Sequence, residues 1–215
     1  MIEVEVRSPL LPDIAAKLQP KLEKMHLREE KASQDVYYDT PDFALLQHRL
    51  SVFVRLREGR LLQFKFDEDS EQRIACIERE FLIQTDVLPE KAQTLFQTFL
   101  PTWQHAASWE QARTFNQLVE LACIDKKRRV YVDGPLIISI DSIEGLGSFV
   151  EVERNCEEGT DTQEAEEHVH TFLREIGGIS LKAGYFEMWL YRHNQAAYQL
   201  VPPRFRVEEA LVSFP

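Results

Sequence analysis

Apolar and polar positions alternate in strict period two along residues 2–7. Ile2, Val4 and Val6 point one way, and Glu3, Glu5 and Arg7 the other. This predicts a strand with an apolar face and a charged face. After a turn at 9–12, Asp13 is placed to cap a helix in which Ile14, Leu18, Leu22 and Met25 recur at helical spacing, with Pro20 as an expected kink or early break. Residues 35–39 read as a strand, and a short helical turn follows through Phe43, Leu45 and Leu46. Strands over 50–58 and 61–66 are joined at Gly59 and Arg60, and residues 77–84 form another.

Pro89 opens a helical region to about residue 121, broken near Trp103 and Gln104 and striped by Leu95, Phe96, Phe99 and Leu100. Strands return at 122–132 and 136–142 around the Asp133, Gly134 turn, and the last spans 149–154. A helix over 162–176 is expected to stop at Gly177 and Gly178, and another runs from Gly184 toward Tyr198. Many strands with short connections indicate an α+β fold built on an antiparallel sheet or barrel with flanking helices. The expected organisation is one domain over 1–200, carrying the helical insertion at about 89–121, and a tail over 201–215 that packs on the body.

Composition narrows the function. No apolar run approaches the ~18 residues of a membrane span. With 25 Lys and Arg against 36 Asp and Glu, the formal charge of -11 has the wrong sign for coating nucleic acid or anionic lipid. Any anionic ligand must meet a local concentration of basic side chains. Cys76, Cys123 and Cys156 fit no metal or CxxC spacing, and acids stand where a secretory leader would be basic. Reduced thiols in a cytoplasmic protein are expected. His168 and His170 are two apart on a helix, on different faces, and read as surface residues.

The strand faces opposite the apolar ones carry Glu3, Glu5, Arg7, Arg55, Arg57, Lys65, Glu78, Glu80, Lys126, Arg128, Asp141, Glu151 and Glu153. Any one such face is ordinary for a half-solvated strand. Repetition changes that reading, because Glu-x-Glu occurs at 3/5, 78/80 and 151/153 and Arg-x-Arg at 55/57. Like charges on one face repel by about 4 kcal/mol at 4 Å in an effective dielectric of 20. Bound counter-ions remove that cost. Carboxylate pairs suit Mg2+ or Mn2+, and guanidinium pairs suit phosphate oxygens, so the set points to a metal-bound polyphosphate.

In order along the chain, these residues resemble the CYTH superfamily of triphosphate tunnel metalloenzymes, which includes thiamine triphosphatases, inorganic tripolyphosphatases and class IV adenylyl cyclases. Glu3-Val4-Glu5-Val6-Arg7 is similar to its ExExK. The resemblance continues through Tyr37-Tyr38-Asp39-Thr40-Pro41-Asp42, Val54-Arg55-Leu56-Arg57, Phe64-Lys65-Phe66 and Glu78-Arg79-Glu80. Lys126 to Tyr131 resembles KxRxxY, Asp141 and residues 146–153 resemble D...LGxFxExE, and Lys182, Tyr185 and Glu187 resemble KxxYxE.

The resemblance implies a closed eight-stranded antiparallel tunnel with helices outside and a triphosphate within. Glu3, Glu5, Glu151 and Glu153 would bind metal, with Asp141 and Glu80 as further ligands or water-holding groups; a salt bridge is the other reading of Glu80. Arg55, Arg57, Lys65, Arg128 and Lys182 would grip phosphates, joined by Arg7 and Lys126. Arg7 replaces the family lysine, keeping the charge but not readily deprotonating. Tyr37 either donates to the leaving phosphate or is a core tyrosine. Glu5, Arg7, Tyr37 and Glu153 are the expected catalytic set for metal-assisted phosphoryl transfer to water, releasing diphosphate and phosphate from a small triphosphate. The size is similar to the thiamine triphosphatase branch, in a monomer or homodimer. A class IV adenylyl cyclase and a noncatalytic polyphosphate binder are the alternatives.

Overall fold

Each period-two segment has an apolar face to bury, and in a computed structural model, which describes residues 2–67, 75–84, 86–203 and 206–207, these segments are the strands. The first half runs β1 (Ile2–Pro9), α1 (Pro12–Leu22), β2 (His26–Asp39), β3 (Phe53–Arg57), β4 (Leu61–Asp67) and β5 (Ala75–Leu82). The second half runs α2 (Glu90–Phe99), α3 (Trp109–Phe115), β6 (Val119–Asp133), β7 (Leu136–Ile143), β8 (Gly147–Cys156), α4 (Gln163–Glu175), α5 (Tyr185–His193) and α6 (Gln195–Tyr198). All strand pairs are antiparallel and close into a barrel ordered β1-β5-β4-β3-β2-β6-β7-β8.

Helices bury the outward faces of the strands. Ile14, Leu18 and Leu22 of α1 and Val169, Phe172 and Leu173 of α4 pack with Val4, Val6, Ile138 and Val152. On the other flank α2 and α3 cover β3 and β4, where Phe96 lies 4.7 Å from Phe64, ring to ring, and stacks on Trp103 at 4.1 Å. Phe64 and Phe96 are fully buried, each contributing roughly 2–3 kcal/mol. Trp103 and Trp109 belong to this helical core.

Several boundaries differ from the sequence reading. Pro12 opens α1 after Leu11, so Asp13 lies in the first turn instead of capping, and Pro20 sits within the helix, whose last residue is Leu22. Pro20 is exposed, so the acceptor left without a donor faces water. Strand β2 begins nine residues before the expected 35–39, because its exposed, doubly polar first half shows no alternation and is held by pairing with β6. The segment through Phe43 to Leu46 is a set of turns, with the Asp39 carboxylate accepting from the backbone amides of Thr40, Leu45 and Leu46.

The turn between β3 and β4 centres on Glu58 and Gly59, both at positive φ. The helical region ends at Phe115, and β6 has begun by Val119. Asn194 breaks the last helix and caps α6 through a bond from the Ala197 amide. Gly177, at φ 71, ends the α4 segment as expected, with the Gly178 amide donating to the Leu173 carbonyl. In the tail Val201 is buried and Arg206 donates to the Val201 and Gln199 carbonyls, while 204–205 and 208–215 lie outside the described residues.

Inside the barrel, the inward faces change character along their length. Toward one end they are apolar, with Tyr37, Ala122, Ile124, Ile143 and Phe149 packed against Tyr185, Phe186 and Met188 of α5 and against Leu181 and Ala183 before it. Tyr37 stacks on Phe186 with centroids 4.4 Å apart, and Phe53 meets the same ring edge-on at 5.3 Å. Helix α5 therefore seals that end. Beyond the seal the same faces are charged.

Candidate active site

The charged stretch encloses a cavity of about 750 Å3. One wall is cationic. On β3, Arg55 donates to Gln63 Oε1 at 2.7 Å, Glu78 at 3.3 Å and Asp35 at 3.4 Å. Arg57, next inward on that strand, donates to both oxygens of Asp35 at 2.7 and 3.2 Å. Lys126 of β6 is 3.6 Å from Asp35, and Lys65 of β4 pairs with Glu3 and, at 3.5 Å, Glu78. Burial and Arg128 pull Lys126 down to about 7, with Arg57 adding and Asp35 and Asp141 opposing.

The facing wall is acidic. Register places Glu5 directly opposite Glu153 and Arg7 opposite Glu151 on β1 and β8. Arg7 donates to Glu151 at 3.1 Å and bonds Glu5, and its guanidinium lies 4.9 Å over the Tyr185 ring. Burial works against the Arg7 charge, but Glu5 and Glu151 outweigh it, so Arg7 is a fixed cation. Burial likewise raises Glu151, yet Arg128, Arg7 and Lys126 more than offset it and hold the carboxyl well below the usual range. Glu153 goes the other way: burial and then Glu3, Glu151 and Glu5 push it up to about 8.

The cavity lining brings together Glu3, Glu5, Arg7, Tyr37, Arg55, Arg57, Lys65, Glu80, Lys126, Arg128, Glu151, Glu153 and Lys182. Asp141 is the departure. It is fully buried, off the lining, with its oxygens engaged by Arg128 at 2.6 and 2.5 Å and by the Tyr185 hydroxyl at 2.8 Å. Its carboxylate fixes the Arg128 guanidinium at the edge of the cavity. Glu80 is exposed and accepts a bond from the neutral Gln63 amide, and Lys182 is exposed. Among the described residues no three His, Cys, Asp or Glu side chains stand in a metal-holding arrangement, because Lys65 engages Glu3 while Arg7 engages Glu5 and Glu151.

The sequence pattern that defines the CYTH domain matches residues 1–183. The chain belongs to the CYTH family. This CYTH chain is similar to the PH1819 protein of Pyrococcus horikoshii OT3, at 25% identity over 89% of this chain and 99% of that one, with a TM-score of 0.61. Two further neighbours share the fold. One is HpAC1 of Hippeastrum, a putative adenylyl cyclase described as having a dominant triphosphatase activity, at 20% identity, 89% and 94% coverage and TM-score 0.55. The other is a putative adenylate cyclase of Vibrio parahaemolyticus, at 18%, 87% and 97%, and 0.57. None of the curated proteins matches the chain.

Reading the CYTH sequence by faces gave no site role to Asp35, to Gln63, which shares a face with Lys65, or to Glu187, which entered only through the KxxYxE resemblance. Asp35 was signalled by its period-two relation to Tyr37, and Gln63 by its relation to Lys65, but a neutral or single opposite charge did not join the like-charged pairs. Glu187 gave no strand pattern at all. It occupies the third position of α5, where its carboxylate accepts from the Gly184 amide, and burial pushes it up to about 7. A Cβ on Gly184 would lie 2.5 Å from that carboxylate and 3.4 Å from Arg7, so a side chain there would displace the Glu187 carboxylate.

Proposed function

We propose that this tunnel hydrolyses a small triphosphate, inorganic tripolyphosphate or thiamine triphosphate, to diphosphate and phosphate with the help of Mg2+ or Mn2+. The observation that carries the reading is one cavity with a carboxylate wall facing a guanidinium and ammonium wall. The donor set fits a hard divalent ion in chemistry: Glu3, Glu5, Glu151 and Glu153 crowd so closely that Glu153 retains its proton to about 8. Those four residues would hold the ion, once Arg7 and Lys65 turn from them toward phosphate. Bound there, it would neutralise phosphate charge and lower the pKa of a ligated water.

The chain's own residues account for the remainder. Arg55, Arg57, Lys65, Lys126 and Arg128 bind the phosphate oxygens and hold the chain in line for attack by water on the terminal phosphorus. The new P–O bond forms as the bridging P–O bond breaks, and these cations meet the charge that gathers on the departing diphosphate. Tyr37, beside Arg55 on the lining, donates to that leaving group. Arg7 acts only as a positive charge.

Phosphate release from tripolyphosphate, thiamine triphosphate and ATP, with either ion and with chelator, tests this. Metal-dependent release is expected, cut at least ~100-fold in Glu5→Gln. No release from any of the three would refute it, and cyclic AMP formed from ATP would move the chemistry to the cyclase. Lys126 supplies a second check. A group with a pKa of about 7 in the free protein is mostly neutral at pH 8, and a phosphate chain beside it restores the proton. Tripolyphosphate binding at pH 8 will therefore be linked to proton exchange, read from calorimetric heats in Tris and HEPES buffers, with less proton uptake in Lys126→Met than in the wild type; the same uptake in both would contradict the assignment.

A further inference from the structure

Three cations of the proposed clamp converge behind the cavity on one carboxylate. Asp35 is 3% exposed and does not line the cavity. Register explains its reach: it lies on β2 opposite Arg57 of β3 and Ile124 of β6, one inward step from Lys126. Its oxygens accept from Arg57 Nε at 2.7 Å, Arg57 Nη2 at 3.2 Å and Arg55 Nη1 at 3.4 Å, with Lys126 Nζ at 3.6 Å. We propose that Asp35 is a positioning residue that sets the geometry of Arg55, Arg57 and Lys126 across two neighbouring strands before the anion arrives. The role rests on the phosphate-binding reading above, and adds that the clamp is built from behind.

Arg57 gives Asp35 two of its donors, and Arg55 divides its donors among Asp35, Glu78 and Gln63, so both guanidiniums are held in place with their charge largely balanced until an anion arrives. Burial works against the carboxylate, yet the surrounding cations hold it ionised well below the usual range. The fixed Arg57 fork has both a bidentate partner and a strand backbone to anchor it, the kind of preorganisation that needs no rearrangement during reaction.

Asp35→Asn keeps the shape and removes the charge. It adds to the cavity's positive potential, so the Kd for tripolyphosphate, measured by calorimetry, will stay within threefold of wild type or tighten. Misplaced clamps cost turnover, so kcat will fall about 10–100-fold. Unchanged kcat would overturn the proposal, as would a parallel loss of kcat and binding, which marks a general scaffold role. Asp35→Glu, which keeps the charge but moves it by one methylene, is read by the same split if the asparagine variant does not fold. NMR of nitrogen-labelled arginine separates this idea from the hydrolase reading. Even without turnover, the Arg57 Nε–H will exchange slowly with water in the wild type and fast in Asp35→Asn; fast exchange in both overturns the positioning role.

Discussion

Arg128→Met will lose about 3–5 kcal/mol of folding stability, the range found when one partner of a buried ion pair is removed. The reason lies in what the guanidinium leaves behind. Asp141 is fully buried and keeps only the Tyr185 hydroxyl, and Glu151, at 4% exposure, loses its 2.7 Å bond. Glu151 keeps Arg7 and the cavity beside it, but Asp141 cannot reach water in place of the lost partner. Urea denaturation at pH 7 measures the change, and a loss below about 1 kcal/mol would show that the network does not carry that load. The double variant with Asp141→Asn should recover part of the deficit, because the two residues share one interaction. Phosphate release will fall at least 100-fold on the proposed mechanism, since a clamp cation and the anchor of Glu151 go together.

The second large effect has the opposite sign for stability. Glu153→Gln will make the metal-free protein more stable at pH 8 while abolishing turnover. In the folded protein Glu153 binds its proton up to about 8, against 4.5 for an ordinary glutamate, because burial and three neighbouring glutamates oppose its charge. The folded state therefore holds more protons than the unfolded chain between those values, and stability falls as pH rises through that window. Glutamine carries no charge to repel, so the variant escapes the fall, gaining on the order of 2–3 kcal/mol at pH 8. Chemical denaturation from pH 5 to 8 in chelator reads the divergence directly; parallel curves would count against the crowded-carboxylate account. Adding Mg2+ or Mn2+ will narrow the gap by stabilising the wild type alone.

The walls of the tunnel were legible because charge was written onto strands. Period two in residues 2–7 put Glu3, Glu5 and Arg7 on one face, and the structure puts all three on the cavity lining. The same rule grouped Arg55 with Arg57 and Glu151 with Glu153. Asp141 shares that face yet is fully buried and off the lining: a periodicity names the side a residue faces, not how deeply its neighbours cover it. The early half of β2 was hidden for a different reason. With charges on both faces, it takes its conformation from a partner strand almost a hundred residues later in sequence, which no local window contains. The arrangement within the acidic cluster was equally out of reach, because the choice between Arg7 and a metal for Glu5 is made by side-chain torsions.

The α5 seal has a bearing on how the molecule is made. All eight strands lie within residues 2–156, whereas the rings that stop the barrel's apolar end, Tyr185 and Phe186, come afterwards. On a ribosome the wall is synthesised before its stopper. Until the last stretch emerges, the collar of Tyr37, Ile124, Ile143 and Phe149 has nothing to cover it, a sticky ring on a nascent protein. A chain released early, at the edge of the matched family region, would carry every strand of the barrel and still be prone to associate through that ring.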